Sequence, residues 1–178
     1  MIPYRYKDVK YEDAPENIRL LFEKMVETRK GLYIHGAIGC GKTHIAYALY
    51  KETENILNKR ALFENTTELL MSFKKDFDRP YGEKSNKADL IMENGGLLFL
   101  DDIGVEKMSE WVSETFYLIV NRRYNDNIPI IFTSNLSIPE LSQRIGDRIV
   151  SRIAQMCDVV ELSGGDRRID NEGLKEII

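Results

Sequence analysis

The chain of 178 residues has only two cysteines, Cys40 and Cys157. Two thiols cannot build a disulfide framework, and neither has the neighbours of a metal-binding cysteine motif. A reducing, cytoplasmic setting is the expectation. Long apolar runs are missing as well. No stretch approaches the ~18 residues that a membrane span requires, so no membrane association is expected. The opening Met1-Ile2-Pro3-Tyr4-Arg5-Tyr6-Lys7 lacks the apolar segment of a signal peptide. An excess of positive charge is also absent. The net charge of −4 argues against a generally basic nucleic-acid surface and leaves room for a local basic groove. Internal repeats and low-complexity tracts are not seen. What remains is 43% hydrophobic and 30% charged, an ordinary balance for one globular domain over 1–178. A chain of this length buries about 70% of its unfolded surface on folding.

Against that background one stretch stands out. Gly36-Ala37-Ile38-Gly39-Cys40-Gly41-Lys42-Thr43 fits the phosphate-loop pattern G-x-x-x-x-G-K-[ST]. The apolar run Gly31–His35 before it reads as a buried strand, and the run after it, from Thr43 to about Asn58, reads as a helix. Glycines let backbone N–H groups turn inward around phosphates, and the helix N-terminus faces the same anion. Lys42 adds a point charge for the β- and γ-phosphates, and the Thr43 hydroxyl suits Mg²⁺. This strand–loop–helix unit predicts binding of a nucleoside triphosphate. Cys40 fills a free position of the loop. His35 and His44 flank it and read as packing or solvent-facing groups, with His44 next in line behind the loop.

The rest of the chain alternates helix and strand. A helix over 13–29, with Asp13 as N-cap, precedes the first strand. Ala61–Glu64 reads as a second strand, followed by a helix capped by Thr66 or Thr67, with Leu69, Leu70, Phe73 and Phe77 on its apolar face. Asp78–Gly82 breaks that helix, and a short helix near 87–93 leads to Gly95-Gly96. Leu97–Leu100 is an unbroken apolar strand ending in Asp101-Asp102. A helix from about Ser109 to Tyr124, a strand over 128–133, two short helices over 138–156 and a strand over 159–162 complete the pattern. Five apolar strands with helical crossovers imply a parallel sheet covered on both faces.

Two further groups carry chemistry. An acidic pair leaving a buried strand sits at the carboxyl edge of the sheet, beside the phosphate loop. Asp101 there suits Mg²⁺, and Asp102 is placed to orient or activate a water. The alternative is a solvated pair in a turn. The polar tip Phe132-Thr133-Ser134-Asn135 puts Asn135 near the γ-phosphate if its strand lies between the first and third. The alternative use of Asn135 is an Asx turn capping the helix near Pro139. Lys74, Lys75, Arg79, Lys84 and Lys87, with Arg122 and Arg123, form either a solvated charged face or a surface that tracks a phosphate backbone. Trp111 reads equally as a partner contact or as core.

Taken together, the phosphate loop, the Leu-Phe-Leu-Asp-Asp-Ile-Gly strand end, the Thr-Ser-Asn tip and the run Gly146-Asp147-Arg148-Ile149-Val150-Ser151-Arg152-Ile153 resemble AAA+ ATPases. More closely, they resemble the DnaC-type helicase loaders and the IstB-type transposition ATPases, over nearly the whole chain. The resemblance implies an α/β P-loop NTPase fold with strand order 5-1-4-3-2. It implies a core over 31–163, a preceding segment and helix over 1–30, and a tail over 164–178 in place of a full lid. It implies ATP and Mg²⁺ as cofactors, hydrolysis coupled to a homo-oligomeric ring or filament, and action on DNA, single-stranded above all; Asp102, shorter than the glutamate common in related ATPases, makes slow hydrolysis the expectation. A replicative helicase or a transposase is the implied protein partner, its grip supplied by another chain. Arg152 takes the place of an arginine finger acting on a neighbouring subunit, with Arg148, one helical turn earlier, next in line. Arg168, or else Arg167, takes the place of a second-sensor arginine acting in cis. Two other readings stay open: a P-loop kinase of small molecules, and an adaptor that binds ATP without turnover.

Overall fold

The structure is a computed structural model that describes residues 2–77, 90–91, 96–106 and 108–165. Its centre is a five-stranded, all-parallel sheet: β1 (Gly31–Gly36), β2 (Ala61–Asn65), β3 (Leu97–Asp101), β4 (Ile130–Ser134) and β5 (Cys157–Leu162). The spatial order is β2-β3-β4-β1-β5, the order implied by the resemblance. Besides two short 3-10 helices near the start, seven α-helices with described bounds accompany it: α1 (Glu16–Glu23), α2 (Met25–Thr28), α3 (Lys42–Leu57), α4 (Thr66–Phe77), α5 (Glu110–Asn125), α6 (Ile138–Ile145) and α7 (Asp147–Met156). Both sheet faces are covered, which is why β1, β3 and β4 read as unbroken apolar runs. One core gathers Phe22, Leu32, Ile34, Ile45, Leu49, Phe99 and Ile131 under α1 and α3. The other gathers Leu98, Leu100, Phe116, Ile119, Phe132 and Ile153 under α5 and α7. Trp111 is partly buried against this second core.

Several boundaries differ from the sequence pattern, each for a local reason. The helix expected over 13–29 is two pieces, because Pro15 takes the N-cap position and the helix breaks at Lys24. Asp13 closes a short 3-10 turn instead, its carboxylate accepting from the Lys10 backbone N–H at 2.9 Å. Asn65, not Thr66 or Thr67, caps α4: its Oδ1 accepts from Glu68 N at 3.3 Å. The Thr66 hydroxyl donates to the Asp101 carbonyl at 2.7 Å. Leu69, Leu70 and Phe73 are buried as expected, while the Phe77 side chain lies outside the described residues. So does the break at 78–82. Of the short helix near 87–93, only Leu90 and Ile91 are described, both helical. Ser109 caps α5 by accepting from Val112 N at 3.3 Å. The fifth strand begins at Cys157, directly after α7.

Arg123 overturns the reading of the pair Arg122–Arg123 as a surface group. It is 1% exposed, with Nε donating to the Ile91 carbonyl at 3.1 Å and one terminal nitrogen to the Gly96 and Pro129 carbonyls at 3.0 and 3.3 Å. Burial pushes its pKa down to about 10, so it stays charged at neutral pH. It ties the C-terminal part of α5 to the start of β4 and the segment before β3. Arg122 pairs with Asp126 at 2.9 Å. Arg123→Met keeps the aliphatic bulk and removes the donors to three carbonyls. Denaturant titration should show a loss of about 2–4 kcal/mol; a loss below ~0.5 kcal/mol would mean that the guanidinium only fills space.

Candidate nucleotide site and arginine face

The site is built where β1, β3 and β4 end. Gly41 adopts φ +103, in the left-handed region, and starts α3 with Lys42 as its first residue. The Lys42 ammonium donates to the Gly36 carbonyl at 2.9 Å and the Ala37 carbonyl at 2.8 Å, and lies 3.8 Å from Cys40 Sγ. Lys42 is 5% exposed, so its charge is held inside the loop. Cys40 points into the core. The loop edge and its neighbours form a cleft of about 400 Å³ lined by Ile38, Gly39, Gly41, Lys42, Thr43, His44, Asp102 and Asn135. Gly36, Ala37 and Cys40 are not among its lining residues; the first two hold the Lys42 ammonium through their carbonyls. His44 Nε2 also lies 3.1 Å from Asp13 Oδ2.

Asp101 lies beneath the cleft, 5% exposed. The Thr43 hydroxyl is 3.0 and 3.1 Å from its two carboxylate oxygens, and the Thr133 hydroxyl donates to Oδ1 at 2.6 Å. Thr133 Oγ1 also accepts from Asp102 N at 2.9 Å, so one hydroxyl fixes both acidic residues. Burial raises the Asp101 pKa above the usual carboxylate range; Thr133 opposes the rise, and the charge of Asp102 adds to it. Thr43 and Asp101 are hard oxygen donors side by side, and a buried carboxylate gains from a nearby cation. This donor set fits Mg²⁺ held together with a bound phosphate chain. Among the described residues no cluster of three His, Cys, Asp or Glu offers a metal cage made of protein alone.

Asn135 follows β4 directly, and β4 does lie between β1 and β3. The N-cap of α6 is Ser137, whose backbone N–H donates to Glu140 at 2.7 Å, so Asn135 is not the cap of that helix. Tyr33 on β1 donates to the Leu136 carbonyl at 2.7 Å and fixes the end of the tip.

Arg148 and Arg152 stand on α7, on a different face. Arg148 stacks 4.1 Å over the Tyr117 ring and donates to its hydroxyl at 2.6 Å. Arg152 Nε donates to Asn121 Oδ1 at 3.0 Å, and one terminal nitrogen donates to the Arg148 carbonyl at 2.8 Å. Neither lines the cleft formed by the phosphate loop of its own chain. Arg167 and Arg168 lie outside the described residues, as do Arg79, Lys84 and Lys87; Lys74 and Lys75 are exposed on α4.

The family can now be read from the chain as a whole. A family model for the IstB-like ATP binding protein matches residues 6–174. The chain belongs to this family. It is 30% identical over 154 residues to the replicative helicase loader DnaI of Bacillus subtilis (strain 168), covering 78% of this chain and 48% of that protein. It is 29% identical over 118 residues to the replicative helicase loader DnaC of Escherichia coli (strain K12), covering 66% of this chain and 47% of that protein. The crystal structure of the DnaC helicase loader superposes with a TM-score of 0.78 at 27% identity, over 90% of this chain and 100% of that one. The chain spans about half the length of the curated relatives it matches. The fold is that of the AAA+ P-loop NTPases. Among the described residues no helix is long and apolar enough to cross a membrane.

The opening run Ile2–Tyr6 also resembles the family, but its place at the cleft carries no signal in the sequence of an IstB-like protein. Arg5 and Tyr6 line the cleft, because Tyr6 stacks 4.4 Å from the Tyr47 ring on α3, which itself stacks 3.9 Å from Phe63. The aromatic residues Tyr47 and Tyr50 on α3 were the available clue. Thr133 was visible only as part of the polar tip.

The raised pKa of Asp101 has a consequence for stability. A folded-state pKa above the unfolded value contributes stability below the unfolded pKa and loses it as pH rises through the folded value. Asp101→Asn, which does not titrate, should therefore raise the Tm of the nucleotide-free protein at pH 8. The advantage should shrink as pH falls toward 4. A lower Tm at pH 8 would mean that the bonds from Thr43 and Thr133 outweigh the cost of burying the charge.

Proposed function

We propose that this chain is a cytoplasmic AAA+ ATPase domain that binds ATP with Mg²⁺, hydrolyses it slowly, and assembles through it on DNA or a DNA-bound partner. Replication is the favoured setting, since the named relatives are replicative helicase loaders; transposition is the other role in this family. One observation carries the reading. Lys42, Thr43, Asp101, Asp102 and Asn135 gather at the carboxyl edge of the sheet, whereas Arg148 and Arg152 sit on a face away from that cleft. Such arginines can serve the neighbouring copy's cleft.

The roles follow from the chemistry of each side chain. Lys42 exchanges its loop carbonyls for phosphate oxygens. Thr43 and Asp101 hold the metal, and Asp102 and Asn135 orient a water. Mg²⁺ held there would supply charge neutralisation for the phosphates of bound ATP. Arg152, with Arg148 beside it, adds positive charge to the neighbour's transition state. Arg168, or Arg167, reaches the nucleotide in cis. Single-stranded DNA and a replicative helicase or transposase are the proposed partners.

Light scattering with an ATP analogue and single-stranded DNA, beside a phosphate-release assay, tests this. The wild type should assemble, and Arg152→Ala should bind nucleotide while releasing phosphate about 10³-fold more slowly. A wild type that stays monomeric, with Arg152→Ala hydrolysing normally, would end the shared-site reading. Assembly without any phosphate release would point to an adaptor, and phosphate transfer by a monomer to a small molecule would point to a kinase.

A further inference from the structure

Glu106 is a buried acid close to this site that none of the roles above uses. It is 7% exposed; Oε2 accepts from Gly104 N at 3.0 Å, and Oε1 is buried with no hydrogen-bond partner among the described residues. Burial raises its pKa, and the negative charge of Asp102 adds to the rise. A buried carboxyl with one oxygen left without a donor works against the fold. Its geometry indicates what it provides in return.

The turn closed by Glu106 is the turn that carries Asp102. Asp102 has φ +59 and Gly104 φ +93, two left-handed residues on either side of Ile103. A non-glycine residue in that region is held there by its surroundings. The first half of the turn is fixed to β4. Asp102 N donates to Thr133 Oγ1 at 2.9 Å, Ile103 N donates to the Thr133 carbonyl at 2.9 Å, and Ser134 Oγ donates to the Ile103 carbonyl at 2.7 Å. In the second half, the Gly104 N–H is satisfied by Glu106. A Cβ on Gly104 would come within 2.9 Å of both Leu136 and Leu141, so this part of the turn packs tightly on the β4 tip and α6. From α6, Arg144 donates to the Glu106 carbonyl at 3.0 Å. One residue, Gly146, then separates α6 from α7 and its two arginines. Glu106 thus stands between Asp102 and the arginine-bearing helices.

We propose that Glu106 is a positioning residue for Asp102. Its side chain locks the second half of the left-handed turn, and its carbonyl, gripped by Arg144, registers that turn against α6 and α7. The inference rests on the reading of Asp102 as the group that orients water. It assigns no contact between Glu106 and the nucleotide.

The test uses the full chain with Glu106→Gln, Glu106→Ala and Asp102→Asn. Gln keeps an acceptor oxygen for Gly104 N, and Ala removes it. Should Ala not fold, Glu106→Leu fills the space without an acceptor. In Ala or Leu the Gly104 amide should exchange with deuterium at least about tenfold faster than in the wild type. Binding of a fluorescent ATP analogue should stay within about twofold, and kcat should fall about 10–100-fold at nearly constant KM. Gln should restore both slow exchange and kcat. Unchanged Gly104 exchange in Ala or Leu, or failure of Gln to restore turnover, would overturn the inference. Turnover by Asp102→Asn at the wild-type rate, together with fast exchange in Ala, would overturn the assignment of Asp102 instead and leave Glu106 as the lock of the turn.

Discussion

The carboxylate of Asp101 is the point where the elements of the site are tied together. Thr43 from α3 and Thr133 from β4 bond its oxygens, and Thr66 at the start of α4 donates to its carbonyl. The phosphate loop, the acidic strand end and the polar tip therefore cannot shift independently. That rigidity comes at the cost of a buried charge whose pKa is raised. A cation held there, as proposed, would offset that buried charge.

The second constraint is the separation of charge between two faces. The cleft holds Lys42 and the acids, while the cationic side chains of α7 stack on Tyr117 beyond it. A copy whose Arg148 and Arg152 lie away from its own cleft has the asymmetry that the proposed head-to-tail assembly would use. The proposed link through Glu106 and Arg144 would connect those faces within one chain.

Most of the fold is legible in the residues because its signals are local. The unbroken apolar runs at Leu97–Leu100 and Ile130–Phe132 announce buried parallel strands, and Lys42-Thr43 after glycines announces the loop. The strand order is not local and entered through the family resemblance; the structure carries it. The misses at Arg123 and Thr66 share a cause: a side chain whose partner is distant in sequence. Arg123 looks like a surface twin of Arg122 until the carbonyls of Ile91, Gly96 and Pro129 surround it. Thr66 looks like a cap until Asp101 claims its hydroxyl. Glu106 gives no periodic or motif signal at all, since its meaning lies in the turn geometry around Gly104.

The central claim is that one site is shared between two copies, and mixing variants tests it most directly. Lys42→Ala removes the phosphate-binding charge and keeps Arg152; Arg152→Ala does the reverse. Each alone should be nearly inactive in phosphate release with ATP and DNA present. Mixed in equal amounts, they should regain up to about a quarter of wild-type activity, the share of interfaces that pair an intact cleft with an intact arginine. A mixture no more active than its parts, under conditions where the wild type assembles and turns over, would contradict the account.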